Sequence, residues 1–231
     1  MNYQTDPAIQ LAFSEKYDNT HAEQYFRKHQ DGLARRLSHQ RDVQLTQQAL
    51  HLAGEPREIL DLPCGAGRFW PTLMANPERK LVAADNSTAM LEVARQAHPY
   101  LGPDRLQMLQ TSAFAIALPD AAVDCIFCYR LMHHIQQPEH RLAMLREFHR
   151  VTRDTLIVSL WVDGNYKAWR RTRLEKKRPG RSDPNRVVIP ARQFESEFAA
   201  SGFTQIDKLD FLPLYAMWRV YVLRKTTSGK V

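Results

Sequence analysis

The sequence has little cysteine and no long hydrophobic stretch. Its three cysteines, an odd number among 231 residues, argue against a disulfide framework and favour a reducing, cytoplasmic setting. The longest apolar runs, such as Leu156–Val162, are far too short to span a bilayer. The polar segment Met1–Asp18 lacks the charged and apolar regions of a secretory signal. We therefore expect a cytoplasmic protein without a transmembrane segment, built as one sizeable α/β domain with additions.

Glycine is also sparse, but two glycines stand in a distinctive motif. Residues 59–67 read Ile-Leu-Asp-Leu-Pro-Cys-Gly-Ala-Gly. The pattern predicts a short buried strand, Glu58–Leu62, that runs into a turn at Gly65 and Gly67, where missing side chains let a ligand approach the backbone. Asp85 ends the next apolar run. A carboxylate at that place can accept hydrogen bonds from both hydroxyls of a ribose.

Two nucleotide-binding motifs are excluded by what this turn lacks. The spacing after Gly67 reaches Trp70, so the third glycine of a dinucleotide fingerprint is missing. No Gly-Lys-Ser/Thr follows, which excludes a P-loop. The turn therefore predicts a site for a nucleoside without a phosphate chain.

The motif resembles the first motif of the class I S-adenosylmethionine-dependent methyltransferases, a strand followed by Asp-x-Gly-x-Gly-x-Gly. Pro63 stands where the family usually has its first glycine, and it should stiffen the turn. The resemblance covers roughly residues 55–162 with specific motifs and the C-terminal part by layout. It implies S-adenosyl-L-methionine as the cofactor. The cofactor-binding residues that we predict are Asp61, Pro63, Cys64, Gly65, Gly67, Asp85, Asn86, Ser112, Ala113, Tyr129 and Tyr17.

Strands and helices alternate after residue 58, which predicts an α/β fold with a parallel sheet and helices on both faces. The resemblance implies a Rossmann-like, seven-stranded, mostly parallel sheet in the order 3-2-1-4-5-7-6, with an antiparallel C-terminal hairpin. The predicted strands are Glu58–Leu62, Lys80–Asp85, Leu106–Gln110, Val123–Tyr129, Thr155–Trp161, Phe203–Phe211 and Ala216–Arg224. The predicted helices include Ala89–His98, His140–Val151 and Ala191–Ser201.

Residues 1–54 are predicted to form a helical lid or extension, and residues 55–231 the cofactor-binding domain with a basic insertion at about 163–188. Tyr25, Phe26, Leu33 and Leu37 suggest an amphipathic element that packs on this domain. In small-molecule members of the family such an element forms a lid. The resemblance implies that Tyr17 contacts the cofactor, and the alternative is a packing tyrosine.

The residues after the third predicted strand are assigned by a second motif. The run from Ile116 to Asp124 matches the family's Leu-Pro-Phe-Pro-Asp-x-x-Phe-Asp. That register places Ser112 where many members have an aspartate that accepts the adenine amino group. The resemblance therefore assigns this contact to the Ser112 hydroxyl and to the backbone of Ala113.

The fourth strand ends in Tyr129-Arg130-Leu131-Met132-His133-His134, which resembles the family's Leu-His-His beside the reactive end of the cofactor. Ligands of open α/β sheets bind beyond the carboxyl ends of the strands. Tyr129 and Arg130 are therefore candidates for contact with cofactor or acceptor. His133 or His134 is a candidate general base, because neutral imidazole is available near pH 7. The alternative is that one histidine caps or packs the following helix.

No metal site is predicted. Cys125 and Cys128 have a Cys-x-x-Cys spacing, but residues three apart in a strand point to opposite faces of the sheet. A redox or zinc pair needs convergent thiols, so we predict that both cysteines pack in the core. The histidines match no compact ligand motif.

The net charge of +7 is concentrated in one segment. Between Lys167 and Arg186, nine basic residues face two acidic ones, and this excess equals the charge of the whole protein. Such a block can attract an anionic partner, and the alternative is a solvated helix face. We predict that Arg170, Arg171 and Arg173 bind phosphate or carboxylate and that Trp169 supplies an apolar wall.

The leading hypothesis is a methyltransferase that acts on a small or lipid-linked anionic acceptor, for example a cell-envelope glycolipid, an isoprenoid or a sugar phosphate. Such an acceptor would allow peripheral membrane contact. The first alternative is an RNA- or tRNA-modifying methyltransferase, although no separate RNA-binding domain and no Asn-Pro-Pro-Tyr motif are present. The second alternative is a non-catalytic, nucleotide-binding regulatory protein with the same fold.

Overall fold

The computed structural model describes residues 32–177 and 186–226. These residues form one seven-stranded sheet in the order β3-β2-β1-β4-β5-β7-β6, which confirms the predicted topology. The strands are β1 (Glu58–Asp61), β2 (Lys80–Asp85), β3 (Leu106–Gln110), β4 (Val123–Cys128), β5 (Thr152–Trp161), β6 (Phe203–Asp210) and β7 (Trp218–Lys225). The helices are α1 (Leu33–Leu52), α2 (Trp70–Leu73), α3 (Thr88–Ala97), α4 (Pro138–Val151), α5 (Tyr166–Lys177) and α6 (Ala191–Ala200), with a short 3₁₀ turn at Met132–His134.

Strand direction divides the sheet into two parts. The five strands β1 to β5 pair in parallel, and in the centre Leu60 lies beside Val82 on one side and Ile126 on the other. The last strand β7 runs antiparallel to both β5 and β6. A connection without a helix joins β6 to β7, as an antiparallel pair allows. The carboxyl ends of β1, β2, β3, β4 and β5 therefore meet at one edge.

The hydrophobic core lies on both faces of the sheet, as two clusters separated by the strands. Alternate residues of β4 show the division, because Cys125 and Phe127 pack on one face while Ile126 and Cys128 pack on the other. The predicted opposite placement of the two thiols is confirmed. Burial raises the pKa of Cys125 to about 12 and also raises the pKa of Cys128, so both thiols are inert near neutral pH.

Several predicted boundaries were wrong by one to three residues, among them the N-terminal ends of β5, β7 and α4. The fifth strand begins at Thr152, directly after α4, because Thr152 pairs with Val123 ahead of a register shift in the ladder. The exposed polar residues Arg153 and Asp154 hid this extension in the sequence. Helix α4 begins at Pro138 instead of His140, since proline suits the first turn of a helix.

Helix α1 packs against β6 and β7 through its C-terminal half. The expectation that Leu37 packs on the domain was wrong, because its side chain is 57% exposed. The side chain of Leu33 and residues 1–31, with Tyr17, Tyr25 and Phe26, lie outside the described residues. The buried stripe follows helical spacing one turn later, at Asp42, Leu45, Thr46, Ala49 and Leu50.

A buried carboxylate attaches α1 to the carboxyl edge of the sheet. Asp42 is 1% exposed, and its Oδ2 accepts hydrogen bonds at 2.6 Å from Nη2 of Arg68 and from Nη2 of Arg130. Its Oδ1 accepts a hydrogen bond at 3.2 Å from the Tyr129 hydroxyl. Arg68 follows the glycine turn, and Arg130 follows β4. One side chain of α1 therefore holds both segments.

None of the helices in the described part of the chain combines the length and the hydrophobicity that crossing a bilayer requires.

Removal of this carboxylate should destabilise the fold much more than removal of an exposed one. We expect Asp42→Ala to lower the free energy of unfolding by about 3–5 kcal/mol, because two guanidinium groups lose their buried partner. Asp154→Ala is the matched control, because Asp154 and Arg224 form an ion pair at 3.2 Å with both side chains about half exposed. Urea denaturation of the control should show a change below about 1 kcal/mol. Equal losses would mean that Asp42 is not a structural anchor.

Candidate functional site

The glycine turn after β1 and the acid at the end of β2 are joined by hydrogen bonds. The Gly65 amide donates to Oδ2 of Asp85 at 3.0 Å, and the Ser87 amide donates to Oδ1 at 2.9 Å. Burial raises the pKa of Asp85, whereas these backbone hydrogen bonds lower it. The carboxylate is thus fixed against the turn. Since a carboxylate offers about four acceptor positions, it retains capacity for hydroxyl groups of a ligand.

The two glycines of the turn are required for different reasons. Both have positive φ, 53° at Gly65 and 73° at Gly67. A Cβ atom at Gly67 would lie 2.8 Å from ring carbons of Trp70 and of His98, so packing inside the protein excludes a side chain there. The nearest atom to a Cβ at Gly65 is Met90 Cε at 3.6 Å. Close approach of a ligand to the backbone is therefore expected at Gly65.

Asp61 and Trp70 fill the interior below the turn. Both side chains are buried, and Trp70 Nε1 donates to Oδ2 of Asp61 at 3.1 Å. Burial raises the pKa of Asp61 well above its usual range, and nearby Asp85 raises it further, while the Trp70 hydrogen bond lowers it. Asp61 therefore supports Trp70, which occupies the place of the missing third glycine. Next along the turn, Pro63 is half-buried and Cys64 is buried.

Predicted adenine contacts lie beside Asp85 at the same edge. The Thr111 amide donates to the Asp85 carbonyl at 3.0 Å, which brings the end of β3 against the end of β2. Ser112 follows directly, and its hydroxyl accepts a hydrogen bond from the Phe114 amide at 3.2 Å. Ala113 is buried next to it, whereas the side chain of Asn86 is exposed. The structure thus brings the predicted cofactor residues from three strand ends together.

Tyr129 is held by a hydrogen bond to the carboxylate of Asp42. Its ring stacks on Phe127 with centroids 5.2 Å apart, and its hydroxyl donates to Asp42. Burial raises the pKa of Tyr129 well above its usual range, and the Asp42 charge raises it further. The phenol therefore stays protonated and holds Asp42. A role for Tyr129 as a proton acceptor does not fit this arrangement.

Arg130 adopts an unusual backbone conformation at the end of β4. Its φ is 64°, a left-handed value that is uncommon for a residue other than glycine. Its amide donates to the Ser159 hydroxyl at 2.8 Å, which secures the turn to β5. Its guanidinium lies 4.8 Å from the ring centre of Trp218. Within the described part of the chain, Arg130 Nε is buried and has no hydrogen-bond partner.

His133 packs against two tryptophans. Its ring centre is 4.9 Å from that of Trp161 and 4.7 Å from that of Trp218, and the side chain is 3% exposed. Burial, followed by the charges of His134 and of three arginines, lowers the pKa of His133 to about 2. The imidazole is therefore neutral at physiological pH. Its Nδ1 has no hydrogen-bond partner among the described residues.

Cationic and aromatic side chains surround this histidine beyond the ends of β4 and β5. The guanidinium of Arg171 lies 5.2 Å from the ring centre of Trp161, and that of Arg186 lies 5.8 Å from it. Trp161 Nε1 is buried and makes no hydrogen bond to residues 32–177 or 186–226. We call this group of side chains the arginine–tryptophan cluster; it consists of Arg130, His133, Trp161, Arg171, Arg186 and Trp218.

Of the four residues predicted to bind the acceptor, only Arg171 belongs to this cluster. Arg171 points inward from α5, where it also pairs with Glu175 at 2.8 Å. Arg170, Arg173 and Trp169 are exposed, and the guanidinium of Arg173 lies 5.4 Å from the Trp169 ring centre. The structure therefore does not bring these three residues to the site.

Sequence reasoning missed Asp42 and Trp218. An acidic residue within the apolar stripe of α1 was a signal for the first. The second pairs with Trp161 across β5 and β7, and no local pattern indicates that pairing. Among the described residues, no group of three or more histidines, cysteines or acids is arranged to hold a metal ion.

Comparison with known proteins identifies the domain around this site. Residues 59–155 match the family model described as a methyltransferase domain. The chain is 31% identical over 100 residues to an uncharacterized methyltransferase-like protein of Schizosaccharomyces pombe, a match that spans 43% of this chain and 36% of that protein. It is 32% identical over 120 residues to a malonyl-[acyl-carrier protein] O-methyltransferase of Legionella pneumophila, which spans 50% of this chain and 41% of that protein. The matches thus span less than half the length of these relatives.

A solved structure shares the fold over nearly the whole chain. The magnesium protoporphyrin IX methyltransferase of Synechocystis, in a crystal structure with bound S-adenosylhomocysteine, matches with a TM-score of 0.75. The match covers 93% of this chain and 98% of that chain. At 16% identity it establishes the fold. The chain therefore contains a region that matches a methyltransferase domain, and its fold is that of a methyltransferase solved with bound S-adenosylhomocysteine.

Proposed function

We propose that the protein transfers a methyl group from S-adenosylmethionine to a small or lipid-linked acceptor that carries a carboxylate or a phosphate. The arginine–tryptophan cluster carries this proposal. It places three guanidinium groups and an unpaired indole N–H beyond the strand ends where α/β enzymes bind ligands.

The residues at the turn fit the cofactor. Asp85 retains acceptor capacity for the ribose hydroxyls, Gly65 leaves its backbone open to approach, and Ser112 with Ala113 lies at the adenine side. The bound cofactor supplies a methyl group that its sulfonium already activates. The contribution of the chain is therefore mainly alignment of the reactants and exclusion of water.

The electrostatics of the cluster favour an anionic acceptor. An unsatisfied buried donor costs about 1–3 kcal/mol, and Trp161 Nε1 is such a donor. Arg130 Nε is a second such donor, and its guanidinium lies over the ring of Trp218. An anion among these groups would accept both hydrogen bonds and offset the repulsion between guanidinium groups. Arginine is also the residue best suited to bind carboxylate and phosphate.

General base catalysis by His133 is not part of the proposal. An imidazole with a pKa of about 2 is a weak base near neutral pH. His134, which is half-buried beside it, remains the histidine candidate if the acceptor must lose a proton. An acceptor that is already deprotonated, such as a carboxylate oxygen, needs no base.

The names of relatives agree with an acceptor other than nucleic acid. One is named for malonyl-[acyl-carrier protein], and a matching structure is named for magnesium protoporphyrin IX. Cell-envelope glycolipids, isoprenoids and sugar phosphates carry the anionic groups that the cluster would recognise. A cytoplasmic location completes the proposal.

The contribution of Asp85 can be measured with S-adenosylhomocysteine. We expect Asp85→Asn to weaken its binding by at least about tenfold, because the charged acceptor for the ribose hydroxyls is lost. Asp104→Asn is the matched control, because Asp104 lies exposed in a turn before β3. Titration calorimetry should find the control unchanged. An unchanged affinity of the Asp85 variant would remove this residue from the site.

The proposed acceptor site can be tested by removal of the indole N–H group of Trp161. We expect Trp161→Phe to lower kcat/KM for the acceptor by about tenfold and to leave the affinity for S-adenosylhomocysteine unchanged. Trp169→Phe is the matched control on the exposed face of α5 and should change neither quantity. Isotope-labelled S-adenosylmethionine and fractionated lysate supply the assay, and the labelled fraction identifies the acceptor class. Equal effects of the two variants would contradict an acceptor site at the cluster.

If no lysate fraction becomes labelled while the cofactor binds, the proposal of catalysis fails and the non-catalytic alternative is supported. Label in RNA would instead support the nucleic-acid alternative.

The low pKa of His133 predicts how stability depends on pH. The unfolded chain binds a proton at this residue near pH 6.5, whereas the folded protein does not until about pH 2. Folding therefore loses stability as pH falls below 6.5, by up to about 1.4 kcal/mol per pH unit for this residue. Denaturation of His133→Gln between pH 7 and pH 5 should show a free energy of unfolding that changes less steeply with pH, by this amount. His51→Gln, an exposed control, should keep the slope of the unmodified protein; identical slopes for all three proteins would show that His133 titrates when folded.

A further inference from the structure

Exposed apolar side chains are concentrated on the outside of α5 and on the connection between β6 and β7. Eight large apolar side chains are exposed among the described residues, and six of them lie in these two segments. We call them the aromatic–leucine patch; its members are Tyr166, Trp169, Leu174, Leu212, Leu214 and Tyr215.

The two segments of the patch are joined rigidly. The Tyr166 amide donates to the Leu214 carbonyl at 2.9 Å, and the Lys167 amide donates to the Tyr215 carbonyl at 3.1 Å. The rings of Tyr166 and Tyr215 stack with centroids 5.8 Å apart and an interplanar angle of 11°. Trp169 lies 5.9 Å from Tyr166, centre to centre. The aromatic side chains of the two segments therefore lie together.

Packing among the described residues does not explain why these exposed side chains are apolar. On α5 the inward positions are Ala168, Arg171 and Glu175, so the apolar side chains of the patch point away from the core. Leu214 is 82% exposed and has a φ of 60°, which is uncommon for a bulky residue. A leucine side chain that is exposed and has an uncommon backbone conformation does not stabilise the fold by burial. We infer that it has a role at a surface contact.

Positive charge accompanies the patch. Helix α5 carries six basic residues and one acidic residue. The Lys167 ammonium lies 5.1 Å from the Tyr215 ring centre, and the Arg173 guanidinium lies 5.4 Å from that of Trp169. The partner must therefore combine an apolar region with negative charge at its boundary.

We propose that the aromatic–leucine patch docks on an anionic phospholipid surface. Tryptophan and tyrosine prefer the headgroup level of a bilayer, leucine inserts below it, and each nearby lysine or arginine is attracted by anionic lipids. Nucleic acid would use the basic residues and the aromatic rings, but it offers no apolar phase for Leu174, Leu212 and Leu214. The composition of the patch therefore favours a lipid surface.

Docking in this way would place the arginine–tryptophan cluster next to the lipid surface. Arg171 belongs to that cluster, and it projects from the inner face of the helix whose outer face carries Trp169. An acceptor that enters from the membrane would have a short path. The docking itself rests on different residues and does not depend on methyl transfer.

Vesicle sedimentation of the full chain, without cofactor or acceptor, tests the proposal. We expect binding to mixed phosphatidylcholine–phosphatidylglycerol vesicles and much weaker binding to phosphatidylcholine alone. Leu214→Asp should weaken binding to the mixed vesicles by about tenfold or more, since it removes an inserted apolar group and adds a repelled charge. Tyr100→Asp is the matched control with the same charge change, because Tyr100 is exposed before β3 at the opposite side of the sheet. It should retain most of the binding.

Three outcomes would overturn the proposal. These are absence of binding to the mixed vesicles, equal losses in the Leu214 and Tyr100 variants, and strong binding of bulk tRNA that Leu214→Asp does not affect while vesicles remain unbound. The affinity of Leu214→Asp for S-adenosylhomocysteine should equal that of the unmodified protein, which shows that the variant is folded. Failure of docking is thus separated from failure of the proposed catalysis, which is measured by methyl transfer.

Discussion

The carboxylate of Asp42 is the constraint on which the site depends. It lies between two guanidinium groups, one after the glycine turn and one after β4, at 2.6 Å from each. Without it, Arg68 and Arg130 would be like charges in a partly buried region, and helix α1 would lose its hydrogen bonds to Tyr129 and Arg130. The glycine turn and the arginine–tryptophan cluster are therefore both joined to Asp42, a residue from outside the parallel sheet.

The predictable part of the structure is the part that local patterns determine. The glycine turn, Asp85 and the five parallel strands follow from apolar runs and turn residues that lie close together in sequence, and their pairing follows from the family resemblance. Asp42 could not be placed in this way, because its partners Arg68 and Arg130 are 26 and 88 residues away. Long-range pairing of buried charge leaves no periodic signal, apart from an acid within an apolar stripe.

The basic segment shows how the orientation of a helix separates residues that are neighbours in sequence. Composition indicated an anionic partner but treated Arg170, Arg171 and Arg173 as one group. In the structure the buried Ala168 fixes the inward face of α5, so that Arg171 turns toward Trp161 while Arg173 lies beside exposed Trp169. The charge excess is therefore divided between an inner cluster and an outer surface. Ala168, the only small apolar residue of this helix, was the available signal for this division.

The inner cluster also explains why a neutral histidine belongs beside three arginines. Burial and the surrounding cations lower the pKa of His133, so the imidazole adds no charge to a region that is already positive. An anion bound there would oppose the Coulombic part of this effect, whereas burial, its largest cause, would still favour the neutral ring near pH 7. The three aromatic rings pack against one another, with centres 4.7 to 5.5 Å apart. His133 therefore contributes packing to the cluster, and the arginines contribute its charge.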